Sequence, residues 1–333
     1  MTAFRDILAV TSDVKPIIVL SEGADPRVAE AAVAASFSNL ATIICVGKAS
    51  AVQSALTAAG TTGNIRIEDP KTSLRLAGYV DSYLQKRVAK GMTQEKAHAE
   101  LSQANFFSAA MVAAGDADGT IGGAVYPTPD IIRAALKVIG TAPDTKLLSS
   151  FFFMLFENRP DLPSEVNVFA DCGLVIDPTA QELADIAISS AESLRALTGI
   201  DPKIAMLSFS THGSAKHASV TKVADATALV RDLRPDLAVD GELQFDAAMV
   251  PSVGTAKAPN SPVAGQANVF IFPNLDAGNI GYKIAQRFGG GKAIGPILQG
   301  LAKPANDLSR GCTAGDIVDM ISVTVAQSAA QNT

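Results

Sequence analysis

The chain has no tryptophan, and aromatic residues fill only 5% of its 333 positions. An interior built mainly from Ala, Val, Ile and Leu is the expectation that follows. Cysteine is also scarce. Cys45, Cys172 and Cys312 stand far apart, odd in number and without a C-x-x-C spacing, which argues against a disulfide framework or a zinc site and suits a reducing cytoplasm. Basic residues do not exceed acidic ones: 27 Lys and Arg against 33 Asp and Glu leave a net charge of -6. A broad nucleic-acid-binding face needs clustered cations to displace counterions, so any anion must be held by a few placed arginines. Long hydrophobic runs are missing too. The longest, "LLSSFFFMLF" (147–156), is too short to cross a bilayer. "MTAFRDILAVTSDVKPIIVL" (1–20) is interrupted by Asp6, Ser12, Asp13 and Lys15, unlike the apolar stretch of an export signal. Neither a membrane segment nor export is expected.

What remains is a chain that can bury a large core. It is 48% hydrophobic and 18% charged, with a mean hydropathy of +0.24, and its length exceeds that at which one core stops growing, so two domains are expected. Short β-rich runs alternate with longer Ala-rich stretches throughout, the pattern of an α/β fold. "PIIVL" (16–20) is followed by "DPRVAEAAVAASF" (25–37), where Asp25 caps and Pro26 opens a helix, and then by "ATIICVG" (41–47). A largely helical region spans 73–114. "DGTIGG" (118–123) reads as a strand ending in glycines, and "TPDIIRAALKVI" (128–139) as a helix with Thr128 as N-cap and Pro129 at its first position. "VNVFADC", "KIAMLSFS", "ANVFIF" and "KAIGPIL" follow as buried-strand candidates, separated by the helices "AQELADIAISSAESLRAL" and "SVTKVADATALVRDL". A domain boundary near residue 145 is the coarse reading. "APNSPVAGQ" (258–266) is a loop, and no internal repeat is present.

"NDLSRGCTAGD" (306–316) concentrates polar chemistry just before the final helix, "DIVDMISVTVAQSAA". Thr313 stands three residues before Asp316, the spacing of a capping box, so one reading makes Asp316 a helix cap. The other reading takes Ser309, Arg310 and the free N–H groups of the helix start as an anion site, since Arg offers a planar fork and Ser a neutral donor to phosphate oxygens. Thr128 and Arg133 raise the same pair of readings on the helix after "DGTIGG", and Arg87 in "YLQKRVAKGMT" has a solvated-helix alternative. Other patterns fail. "GGGK" (289–292) lacks the Gly at 286 and the Ser or Thr at 293 that a phosphate loop requires. "SFSTHGSAKH" (208–217) holds Ser208, Ser210, His212 and His217 without a G-x-S-x-G elbow. His98 lies in a charged helical stretch, and Cys45 and Cys172 fall in apolar strands as small core residues.

In combination and order, "SEGADPR" (21–27), "KGMT" (90–93), "DGTIGGAVYPTPDIIRAALKVIG", "FADCGLVIDPTAQELADIA", "AMLSFSTHGSAKH", "DGELQFDAA" and "GPILQGLAKPANDLSRGC" resemble the phosphate acetyltransferase (phosphotransacetylase) family over nearly the whole chain. The resemblance implies reversible transfer of acetyl between acetyl phosphate and coenzyme A with release of inorganic phosphate, a step of acetate metabolism. Coenzyme A would be a substrate, with no tightly bound cofactor and no metal in the chemical step. It implies a cytoplasmic enzyme, usually a homodimer, with neither nucleic acid nor membrane as partner. It also implies two α/β/α domains with mainly parallel sheets and an interdomain cleft, an isocitrate/isopropylmalate dehydrogenase-like architecture. The first domain would comprise 1–145 with a returning segment 303–333, and the second 146–302. By position, Asp316 matches the general base, Ser309 the residue that hydrogen-bonds the reacting group, and Arg310 the phosphate-binding arginine. Arg87 and Arg133 match arginines associated with coenzyme A, Arg27 a further active-site arginine, and Thr128 a ligand contact. Pro127 departs from the pattern: many relatives carry Ser there, a hydroxyl donor that this chain lacks.

These roles are chemically coherent. A thiol of pKa about 8.5 is mostly protonated at neutral pH, and a positioned carboxylate can take its proton. An ordinary aspartate is too weak a base for that thiol, so burial must strengthen it or proton removal must be concerted with attack. Cys312 offers a competing route through an acetyl-enzyme, with a helix start and Arg310 nearby to lower its pKa. A phosphate butyryltransferase-like activity would use the same residues on a longer acyl group. A non-catalytic coenzyme A or acetyl phosphate binding module is the alternative outside enzymes. A dehydrogenase would need an acid cluster for metal and a nicotinamide site, and the sequence signals neither.

Overall fold

In the computed structural model, which describes residue 8 and residues 15–60, 65–143, 145–156, 159–160 and 162–331, the apolar run after Pro16 forms β1 (Ile17–Leu20). The stretch considered for an export signal lies, up to residue 14 and apart from Leu8, outside the described residues. After β1, Asp25 accepts the backbone N–H of Arg27 and Pro26 occupies the first turn, starting α1 (Pro26–Phe37). The chain continues through β2 (Thr42–Val46), α2 (Ala49–Ala58), β3 (Arg66–Glu68), α3 (Leu76–Arg87), α4 (Gln94–Leu101), α5 (Ala104–Ala114), β4 (Gly119–Gly122) and α6 (Thr128–Val138). It then enters β5 (Ser149–Leu155), β6 (Val166–Ala170), α7 (Ala180–Thr198), β7 (Lys203–Leu207), α8 (Ala218–Leu233), β8 (Ala238–Leu243), α9 (Phe245–Met249), α10 (Pro251–Lys257), β9 (Val269–Ile271), α11 (Leu275–Arg287) and β10 (Lys292–Gln299). Two elements close the chain, β11 (Ala305–Asp307) and α12 (Ala314–Gln331).

Two compact units result, Met1–Asp144 with Leu301–Thr333, and Thr145–Gly300. The first holds a five-stranded sheet in the order β11-β4-β1-β2-β3, parallel throughout. Its strands alternate as a doubly covered sheet should. Val19, Ile44 and Val46 pack under α3 to α6, whereas Ile18 and Cys45 face α12 and α2 through Thr324 and Val52. Because α1 packs on α12 and α6 packs on α5, the chain leaves β1 and β11 toward one face of the sheet and β4 toward the other. Such a reversal opens a crevice at the carboxyl ends of the strands, where α/β proteins place ligands.

The second unit has a six-stranded sheet, β10-β5-β6-β9-β7-β8, with β6, β9, β7 and β8 parallel and β5 antiparallel to both neighbours. Its core corrects the expectation of an aliphatic interior. Every residue of β5, "SSFFFML", is buried, and Phe152, Phe156, Phe169, Phe270 and Phe272 form one cluster, with Phe151 and Phe153 edge to face at 5.1 Å. Phenylalanine, at 14 residues, supplies most of the aromatics, and this unit concentrates them. α7 shows the local logic of its helices, opening on a Thr179–Glu182 capping box and ending at Gly199 in the left-handed region, φ 71°.

Candidate active site

Three connections of the first unit meet at the carboxyl ends of β1, β4 and β11, and a buried acid organises them. Glu22, on the turn after β1, accepts four successive backbone N–H groups from the loop after β4: Gly123 at 3.0 Å, Ala124 at 2.8 Å, Val125 at 2.9 Å and Tyr126 at 2.6 Å. Gly123 has φ +109°, and a Cβ there would lie 2.2 Å from Asp307 Oδ1 and 2.7 Å from the Leu308 nitrogen. Only glycine lets this loop close on the segment that follows β11.

Arg27 fastens the third side. Its Nε and Nη2 grip Asp25 at 3.0 and 2.9 Å, Nη2 also donates to the Ala124 carbonyl at 2.9 Å, and Nη1 donates to the carbonyls of Arg310 and Cys312 at 2.7 and 3.1 Å. All five guanidinium hydrogens thus have protein acceptors. Asp25 responds in kind, its carboxyl held below the usual range by the Arg27 hydrogen bond. Arg310 differs: its side chain is exposed and has no partner among the described residues, so its fork is open to an anion. Ser309 Oγ accepts the Gly311 N–H at 3.3 Å, which leaves its own hydrogen to donate outward.

Thr313 and Asp316 form the capping box that their spacing suggests. Asp316 Oδ2 accepts the N–H and hydroxyl of Thr313 at 2.8 and 2.9 Å, and the Asp316 N–H returns to Thr313 Oγ1 at 3.2 Å. Asp316 Oδ1 has no protein partner among the described residues. The carboxyl is half-buried, so it is both a cap and an accessible proton acceptor.

Thr128 corrects a sequence expectation. It is the first helical residue of α6, Pro127 holds the cap position at φ -64° and ψ 145°, and no side chain caps the helix. Proline carries no acceptor on its side chain, and the Thr128 hydroxyl is directed elsewhere: it donates to Asp307 Oδ2 at 2.5 Å. Asp307 is fully buried, and burial raises its carboxyl to about 7 despite the Thr128 bond. Glu22 and Asp307 were missed as functional positions by sequence reading. The available signal was their place inside "SEGADPR" and "NDLSRG".

The remaining arginines stand away from the start of α6: Arg133 lies within it and Arg87 ends α3. Arg133 is exposed and pairs with Asp130 at 2.6 Å. Arg87 Nη1 reaches the Lys137 carbonyl at 3.3 Å, its guanidinium lies 6.0 Å from the Tyr83 ring centre, and its buried Nε has no partner among the described residues. At 1.5 Å per residue, Lys137 is about 13 Å along the helix from Thr128. Arg27 is thus bonded to the connection that carries Ser309, Arg310 and Asp316, Thr128 joins the same connection through Asp307, and Arg133 and Arg87 lie progressively farther along.

Cys312 is a second correction. Burial pushes its thiol up, Arg27 opposes this, and Asp316, Asp25 and Glu22 add to the rise. The lowered pKa argued for a covalent route is absent because three acids and a desolvated site outweigh one arginine. Cys312→Ala is expected to keep thioester-forming turnover within about threefold of wild type, as a buried thiol that reacts with nothing should; steady-state kinetics checks it. In the second unit, His212 Nε2 faces Asp240 at 3.1 Å, Ser210 donates to Glu242 at 2.7 Å and Ser208 accepts the Ser210 N–H, an arrangement that pairs neither Ser208 nor Ser210 with a histidine. Among the described residues, no group of three or more His, Cys, Asp or Glu is placed to hold a metal ion.

A model of the phosphate acetyl/butaryl transferase family matches residues 3–325. The chain belongs to that family. It is 49% identical over 312 residues to a phosphate acetyltransferase of Paracoccus denitrificans, covering 93% of this chain and 94% of the relative. It is 44% identical over 328 residues to that of Thermoanaerobacterium thermosaccharolyticum, covering 98% of this chain and all of the relative. Among solved structures it resembles a phosphotransacetylase from Streptococcus pyogenes at 47% identity and a TM-score of 0.88, covering 94% of each chain. As a member of the phosphate acetyl/butaryl transferase family the chain is an acyltransferase.

Proposed function

We propose that this chain is a phosphate acetyltransferase that moves acetyl reversibly between acetyl phosphate and coenzyme A by direct thiol attack in a ternary complex. One observation carries the reading: Arg27 pins the 310–312 backbone, which joins Ser309 and Arg310 to the start of α12 where Asp316 stands. Arg310, unpaired, takes the phosphoryl group. Ser309 donates to the oxygen that gains charge as the carbonyl becomes tetrahedral. Asp316 Oδ1 receives the thiol proton. Because Asp316 is only half-buried, removal of that proton in concert with attack is the route that fits. Arg27 then acts on the reaction by fixing the turn, since its donors are already engaged. Coenzyme A, a long anionic substrate, would lie along α6 with Arg133 and Arg87 meeting its distal phosphates.

The test is thioester formation from coenzyme A with acetyl phosphate and butyryl phosphate in competition. Acetyl phosphate is expected to win by about tenfold or more in kcat/KM, the scale on which a pocket resolves methylene groups. Preference for butyryl phosphate would assign the longer acyl group, and coenzyme A binding without turnover would make the chain a binding module.

The same reading gives a cytoplasmic homodimer. Cys45, Cys172 and Cys312 are all free and buried, as suits a reducing compartment, and no described helix is long and apolar enough to cross a membrane. α11 leaves Ile280 and Ile284 exposed, with Phe288 exposed just past its end at the same four-residue interval, an apolar stripe suited to an isologous contact between copies. Light scattering at micromolar concentration should give the dimer mass for wild type and a shift to monomer for Ile284→Glu. A wild-type monomer would overturn this assignment.

A further inference from the structure

Asp307 is the buried acid for which the capping and stapling bonds of the site give no role. Its Oδ2 holds the Thr128 hydroxyl at 2.5 Å, while its Oδ1 is buried without a hydrogen-bond partner among the described residues. Gly123 faces that oxygen so closely that no side chain fits between them. A buried carboxyl oxygen that at most draws on the neighbouring Leu308 N–H is costly as part of an anion and much less so as part of a neutral acid. Thr128, in contrast, is half-exposed and sits beside the turn that carries Ser309 and Arg310.

A hydroxyl has one hydrogen to give. When Asp307 is ionised, Thr128 donates to it and turns lone pairs toward the crevice, which an anion avoids. When Asp307 carries a proton, its own O–H can donate to Thr128 Oγ1, and the Thr128 hydrogen is released outward. We propose that Asp307 is a positioning residue for the acyl phosphate, its carboxyl deciding whether the Thr128 hydroxyl points inward or donates to a phosphoryl oxygen. The inference rests on the acyl-phosphate reading above and adds to it a proton taken up on substrate binding.

The surroundings of Asp307 set the pH at which this happens. The turn after β1 brings Glu22, an acid that disfavours a second charge nearby, and the Leu308 N–H and Thr128 hydroxyl act the other way. β4 contributes Gly122 as its backbone partner, and the loop beyond it Gly123 and Tyr126. Two helices also pack on β11: α6, whose Asp130 and Arg133 pair with each other at 2.6 Å, and α12, which meets Asn306 through the uncharged Thr324 and Gln327. Arg310 and Asp316 lie downstream on the same segment. With burial dominant, the carboxyl titrates near 7, so proton uptake falls within an ordinary assay range.

The experiment measures KM for acetyl phosphate, whose own ionisation lies well below the range, from pH 6 to 8.5 at saturating coenzyme A. Wild-type KM is expected to rise about tenfold across it, with kcat following a different profile. Asp307→Asn, with its carbonyl toward the Leu308 N–H and its NH2 donating to Thr128 Oγ1 at every pH, should hold a low KM independent of pH. Thr128→Val should raise KM at low pH and flatten the profile, and Thr128→Ser should restore the wild-type dependence. Persistence of the wild-type KM profile in Asp307→Asn or in Thr128→Val overturns the inference, as does a flat profile in wild type. If Asp307→Asn does not fold, as judged by circular dichroism, the Thr128 pair decides alone. Wild-type turnover at any one pH tests the activity itself, so failure of that reading is seen separately.

Discussion

Asp316→Asn is expected to lower thioester formation from acetyl phosphate and coenzyme A by about a hundredfold or more, the usual contribution of a positioned proton acceptor, while leaving the fold intact. The amide keeps a carbonyl oxygen that can accept the N–H and hydroxyl of Thr313 where Asp316 Oδ2 does now. The capping box therefore survives in large part, and the thermal midpoint should show a loss within about 1 kcal/mol. What disappears is the oxygen that receives the thiol proton. Only the small thiolate fraction of free coenzyme A can then attack, and that fraction grows with pH up to its pKa of about 8.5. The variant's rate should accordingly climb about tenfold per pH unit from 6 toward 8, with wild type much flatter over the same range. Thr313→Ala serves as the control, since it removes the cap and leaves the acid. Equal activity of Asp316→Asn and wild type would reduce Asp316 to a helix cap.

The parts of this site that could be read in the sequence are those whose partners are near in the chain. Asp25 with Pro26, and Thr313 with Asp316, are separated by one to three residues, and their geometry follows from helix ends alone. β1, β2, β6 and β7 are legible because an apolar strand covered on both faces is a continuous hydrophobic run. β5 is such a run as well, but the length of "LLSSFFFMLF" says only that it is too short to cross a membrane, and its phenylalanines make the second core aromatic. β11 is the opposite case. Asn306 and Asp307 are buried at 1% and 0% exposure, in a strand of three residues that hydrophobic patterning cannot see, because its place comes from pairing with β4. The helix start at Thr128 shifted for a related reason, its hydroxyl being claimed by Asp307 rather than by its own backbone. Arg27 makes bonds 283 and 285 positions away. Its family position points to the active site, but only tertiary structure shows that its donors are already occupied.

Glu22→Gln is expected to cost more in stability than any other single change at the site, about 3 to 6 kcal/mol if two charge-assisted bonds are lost at their usual worth. The carboxylate receives Gly123 and Ala124 on Oε2, and Val125 and Tyr126 on Oε1. Glutamine has one acceptor oxygen, so in either orientation its NH2 must face two N–H groups across distances now between 2.6 and 3.0 Å. The bonds to Gly123 and Ala124 are buried and those to Val125 and Tyr126 half-buried, so the amide nitrogen should turn toward the latter pair, where water can replace the lost acceptor. The damage then concentrates at 125–126 and spreads through what the loop carries: the Ala124 carbonyl that anchors Arg27, the Gly123 contact with Asp307, and Thr128. Hydrogen exchange should quicken across 123–126, the thermal midpoint should fall, and KM for acetyl phosphate should rise even though Glu22 itself touches no substrate in the proposed complex. Unchanged exchange at 123–126 together with a wild-type melt would mean that strand β4 and helix α6 hold the loop without the acid. The four converging N–H groups would then be a consequence of the fold rather than a cause of the site.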